Sequence, residues 1–296
     1  MAGLMRRISV LIGLSAAVIA LAGCSATSPA KENALVKKLP QRIFRAPASL
    51  VSAAGPQANG TIWMLAGKSS MGLFEMDSSS GGLKGSTSVS GDARSVAETP
   101  SGVIGLALGA KHSGALELLS GTGKLVKTVA LPAPARQVVV GSDGTTFYVL
   151  TGTPTTASVT IVGSRAGRIL GSVPMPSDAV SVVPDSRQTT LYALERNGLV
   201  DQVNITGGKV VAKFRVGGQG DTGESIALSP DGDTLYVLKS DGATSNIADV
   251  NANTEAVRKV LPAPSHCVQV LVSAGGGQLY EVVGTAAYGN IQVYAA

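Results

Sequence analysis

Apolar residues in this chain come in short runs, separated by clusters of Gly, Pro, Ser, Asp and Asn. The pattern is clearest between residues 222 and 259. Ser225–Leu228 reads as a short strand, and Thr234–Leu238 is a second, rich in strand-favouring residues. Between them, Ser229-Pro230-Asp231-Gly232 is a tight-turn sequence, with Pro, Asp and Gly in their usual turn roles. Ser240-Asp241-Gly242 turns again before Ser245–Val250, and Asn251–Thr254 turns before Ala256–Leu261. Runs of this length, bounded by turn residues, predict four short antiparallel strands.

The unit recurs. Tyr148, Tyr192, Tyr236 and Tyr280 stand 44 residues apart, each preceded by Phe or Leu. One period earlier the same slot falls on Ile104, and then, slightly off period, on Trp63. Six occurrences near forty residues predict stacked units that bury their faces on one another. Four strands per unit describe a propeller blade, so the expected fold is all-β, a six-bladed β-propeller of four-stranded antiparallel blades. The sixth blade has strands near Val268–Val272, Leu279–Val283 and Asn290–Tyr294 and lacks a fourth before Ala296. Ala34–Leu39, upstream of the first blade, is expected to supply it and so close the ring with an N-terminal strand, removing an exposed edge.

Ser229 to Leu238, SPDGDTLYVL, resembles the YVTN-type propeller repeat with its S-P-D-G-x-x-L-Y-V core. Here Tyr236-Val237 is followed by Leu238-Lys239 instead of Thr-Asn. As a pattern the resemblance covers most of residues 48–294. It implies a fold that hosts binders, scaffolds and lactonase-like hydrolases, so function has to be argued from a site.

The amino terminus carries an address. Arg6-Arg7 precede an uncharged run from Ile8 to Ala22, which has the grammar of a signal peptide and is shorter than the ~20 residues of a spanning helix. Leu21-Ala22-Gly23-Cys24 resembles the lipobox of bacterial lipoproteins. That resemblance implies cleavage before Cys24, diacylglycerol on its thiol and, in many bacteria, acylation of the new amino terminus. At roughly 0.8 kcal/mol per buried methylene, several acyl chains make a firm anchor. The expected organisation is residues 1–23 signal peptide, 24–33 lipidated tether and 34–296 propeller. The expected location is the extracytoplasmic side of a bacterial membrane.

Composition narrows the partners. Of 296 residues 15% are charged and 37 are Gly, which suits strands joined by tight turns. Without Arg6 and Arg7 there are 22 Lys+Arg against 19 Asp+Glu, about +3, and no basic cluster interleaved with aromatics. Nucleic acid is not an expected partner. The expected partners are the membrane, through lipid on Cys24, and an envelope protein or polar ligand bound by a monomer.

Catalytic signals are few. His112 lies in a hairpin-loop sequence, and Gly121-Thr122-Gly123-Lys124 reads as a hairpin turn. Cys267 adjoins His266, but neighbours on a strand point to opposite faces, so a buried structural thiol is expected. Asp249 to Glu255 opens like a calcium loop, yet Thr254 and Val260 stand where an EF-hand needs Gly and an acid. Neither a metal nor another cofactor is expected.

Aligning the repeats gives one constellation. At the start of successive first strands stand Arg94, Arg136, Asp178 and Glu224, with His266 near the equivalent place in the sixth unit. First strands of a propeller line its channel, so these residues are expected at one mouth, either in cross-blade ion pairs or around a ligand. The sequence therefore reads as a binding or scaffolding module more readily than as a hydrolase or a purely structural envelope component.

Overall fold

The computed structural model describes residues 39–57, 59–110, 113–153 and 155–296. The signal segment, Cys24, the tether, residues 34–38 and His112 lie outside these. Twenty-four strands, with no helix among the described residues, form six four-stranded antiparallel sheets. Five blades follow the chain directly, at 50–89, 93–131, 135–175, 179–215 and 222–263. The sixth joins residues 267–295 to Arg42–Ala46. First strands of neighbouring blades touch around the whole circuit, including blade 6 against blade 1.

The core lies between the blades. Six buried clusters fill the six inter-blade interfaces. Second strands are covered on both faces, which is why they are the most continuously apolar part of each repeat. The repeated slot is accordingly buried in every blade: Trp63, Ile104, Tyr148, Tyr192, Tyr236 and Tyr280 are all at most 8% exposed. Tyr148 also reaches across an interface, its hydroxyl donating to Gln188 Oε1 at 2.8 Å.

Ring closure occurs as expected in kind and at different residues. The strand that completes blade 6 is Arg42–Ala46, not Ala34–Leu39. It pairs antiparallel with Gly289–Ala295, Phe44 opposite Ile291. The alternation Arg42-Ile43-Phe44-Arg45 explains the choice. Phe44 enters the core beside Met64, Met76 and Ile291, and its neighbours face outward. Pro40 has no N–H for a ladder, and Leu39 is 85% exposed.

Candidate functional site

All six innermost strands share an irregularity. Their register against the second strand slips by one residue, leaving a bulge at Val51, Arg94, Arg136, Val180, Glu224 or Val268. The residue after each bulge is Ser52, Ser95, Gln137, Ser181, Ser225 or Gln269, and each accepts a hydrogen bond from a backbone N–H of the next blade. The donors are Val96 (3.3 Å), Val138 (3.2 Å), Val182 (2.7 Å), Ile226 (3.2 Å), Val270 (3.3 Å) and, closing the circle, Ala53 (2.9 Å). A bulge re-aims the side chain that follows it. Here that turns a Ser or Gln side chain sideways into the neighbouring blade, making a six-membered ring of staples around the axis.

The five predicted mouth residues all stand at the start of innermost strands, in two tiers. Arg94, Arg136 and Glu224 are bulge residues. Asp178 and His266 precede the bulges of their blades by two positions, and the true counterparts of Arg94 there are Val180 and Val268. The backbone carbonyls of Asp178 and His266 accept from Arg196 N–H (3.1 Å) and Gly284 N–H (3.1 Å). His266 is exposed and takes a left-handed backbone, φ 64°. Among the described residues, no ion pair engages any of the five.

Arg196 is the mouth residue that the sequence reading missed. At the end of the second strand four blades place Gly, at 67, 109, 152 and 284, and at 109 and 284 it lies against the next blade. A Cβ on Gly109 would meet the Ala135 carbonyl at 2.4 Å, and one on Gly284 the Leu50 carbonyl at 2.0 Å. At the interface of blades 4 and 5 the glycine is on the opposite side. It is Gly223, whose N–H donates to the Arg196 carbonyl at 2.8 Å and whose Cβ would meet the Glu195 carbonyl at 2.5 Å. Exchanging the glycine lets position 196 carry a side chain, and it carries a guanidinium. Partial burial and then the Arg196 charge lower the pKa of Arg136. Burial raises that of Glu224, with Arg196 opposing. Asn197 Nδ2 reaches Asp178 Oδ2 at 3.4 Å.

The other end of the axis differs. A cavity of about 290 Å³ lies beyond the staple ring, bounded by the far halves of the innermost strands and the turns after them. None of the five predicted residues lines it. Gln137, Ser225 and Gln269 face it from the ring, with Val139, Val183 and Leu228 in its walls.

The chain is a six-bladed β-propeller. No protein-family description and no curated protein matches its sequence. Among solved structures it is similar to Kuenenia stuttgartiensis hydrazine synthase, at 16% identity and a TM-score of 0.61, over 84% of this chain and 76% of that one. At that identity the likeness speaks for the fold alone.

Cys267 is buried and forms no disulfide, and burial drives its pKa far up, so it is a packing thiol. Asp249 is held by Lys259 at 3.4 Å and Arg258 at 3.8 Å, a use that competes with cation binding.

Proposed function

We propose that this protein is a lipid-anchored extracytoplasmic binding propeller whose charged mouth receives an anionic or zwitterionic group. One observation carries the reading. Arg136 and Arg196 lie close enough for their like charges to interact at the mouth, Arg136 partly desolvated, and neither is engaged in an ion pair with a described residue. Structural arginines are normally paired with carboxylates, and two that repel one another lower their energy when an anion bridges them. Glu224, which feels the Arg196 charge, adds the opposite sign on the far side and suits a partner carrying both. The lipobox supports a membrane address. The resemblance of Ser229–Leu238 to the YVTN-type repeat is compatible with a binder.

The test uses the Arg136→Gln/Arg196→Gln double variant. Wild type and variant are used to capture partners from detergent-solubilised envelopes and are titrated with inorganic pyrophosphate at two salt concentrations. The expected result is binding weakened by about tenfold or more, with little change in melting temperature, because neither arginine holds an ion pair with a described residue that the substitution would break. Unchanged binding, or loss matched by loss of fold, would return these arginines to a structural role.

A further inference from the structure

The cavity at the opposite mouth has a chemistry of its own. Four blades staple their neighbour with Ser, and blades 3 and 6, half a circuit apart, use Gln137 and Gln269. The longer side chain is not needed for the bond, since Ser makes it elsewhere at 3.2–3.3 Å. What it adds is a carboxamide at the cavity floor.

The orientation of each carboxamide follows from its partners. A backbone N–H can only donate, so the atoms facing Val182 N and Ala53 N are the carbonyl oxygens, and the Nε2 ends are donors. Gln137 Nε2 donates to Ser181 Oγ at 2.9 Å. Gln269 accepts twice at Oε1, from Ala53 N and from Ser52 Oγ at 3.2 Å, and its two N–H groups are engaged with no described residue. Ser225 Oγ accepts from Val270 N, which leaves its own hydrogen to give. The floor therefore offers hydrogen-bond donors, and the walls above it are mostly aliphatic.

Charge decides between acceptors. Among the described residues no Lys, Arg or His lines the cavity, and Glu98 stands in its wall, 2% exposed. A carboxylate placed there would lose its water without gaining a cation, which is costly. A neutral carbonyl would not. We propose that this cavity is a second ligand site, independent of the charged mouth, taking a small neutral molecule with an apolar body and one carbonyl oxygen. Its volume lies near the lower end of the range for ligand pockets, about 300–1,000 Å³, and so suits a single ring or short chain.

The probes are acetanilide, which has such a body and a neutral carbonyl, benzoate, its anionic counterpart, and ethylbenzene, which has no acceptor. Binding is followed by saturation-transfer NMR on the full-length protein in detergent. Two variants test the site without disturbing the core. Ala274→Trp blocks the mouth from an exposed rim position. Gln269→Ser installs the staple residue that four other blades already use, keeping the ring and removing the floor donor.

Acetanilide is expected to bind wild type and the Arg136→Gln/Arg196→Gln variant alike. It should bind Gln269→Ser about tenfold more weakly, as a lost donor to a carbonyl implies, and Ala274→Trp not at all. Benzoate and ethylbenzene should each bind at least about tenfold more weakly than acetanilide. Failure of acetanilide to bind wild type would overturn the proposal. So would equal binding of benzoate or ethylbenzene, or binding that survives in both cavity variants.

Discussion

Ser95 shows how much a small residue can hold in this fold. Its hydroxyl is the side-chain acceptor for the buried Val138 N–H of the next blade. Ser95→Ala removes the acceptor and leaves the donor, and an unsatisfied buried donor costs about 1–3 kcal/mol. The urea midpoint should fall accordingly, and Ser225→Ala should behave alike. A midpoint unchanged in both would mean that the ring contributes nothing to stability. Asp201 makes a second case. It is fully buried in blade 4, and Lys213 Nζ lies 3.1 Å from it and 2.8 Å from Glu195. Burial, and then Glu195, push the Asp201 pKa from 3.8 up to about 6. For Glu195, burial works against ionisation, but hydrogen bonds with Asp201 and Lys213 prevail and hold its pKa down. A pKa raised on folding means that the folded state binds the extra proton, so the Asp201 contribution is present below about 4 and is lost as pH rises through about 6. Across that interval wild type should lose stability relative to Asp201→Asn. Parallel melting curves from pH about 4 to about 7 would show that the proton is not held there.

At the scale of strands and blades, the 44-residue tyrosine spacing, extended back to Ile104 and Trp63, gave the blade count, because a strand buried on both faces must repeat its apolar residues wherever the blade repeats. The strand completing blade 6 was misplaced, because Ala34–Leu39 also reads as a short strand and the sequence does not say which segment finds a partner. Phe44 decides it by filling the gap between blades 6 and 1. Phe44→Ala should therefore cost about 3–5 kcal/mol, the usual loss for a buried aromatic truncated to Ala. Deletion of residues 34–38 should cost far less. If calorimetry ranked the two the other way, the register of Arg42–Ala46 on Gly289–Ala295 would be wrong. The charged mouth was legible only in part. The alignment found Arg94, Arg136 and Glu224, yet it slipped by two residues at Asp178 and His266, because the bulge residues of those blades, Val180 and Val268, are themselves valines and pass for the first apolar position of the strand. Arg196 had a signal in the missing glycine of blade 4 and its replacement by Gly223 on the facing strand. That exchange has meaning only once blade ends are known to touch.

For the whole molecule, the two ends of the axis present different chemistry on one scaffold, with arginines at one and amide donors without a described cationic side chain at the other. A membrane tether would give both a fixed compartment. Cys24→Ala should abolish incorporation of labelled fatty acid and leave an uncleaved or mislocalised precursor. Equal labelling of variant and wild type would remove the anchor from the account.

The pairing of Arg42–Ala46 with Gly289–Ala295 has a further consequence, for the order of events in making the protein. Chains emerge amino terminus first, and contacts between distant residues form late. The first described strand must wait, unpaired, until Gly289–Ala295 has been delivered. Until then blade 6 does not exist, and blade 1 has no neighbour on that side. A nascent chain thus keeps its ring open until Gly289–Ala295 has emerged, and only then can the ring lock. A product cut short anywhere before residue 289 keeps an open edge, marking it for proteolysis.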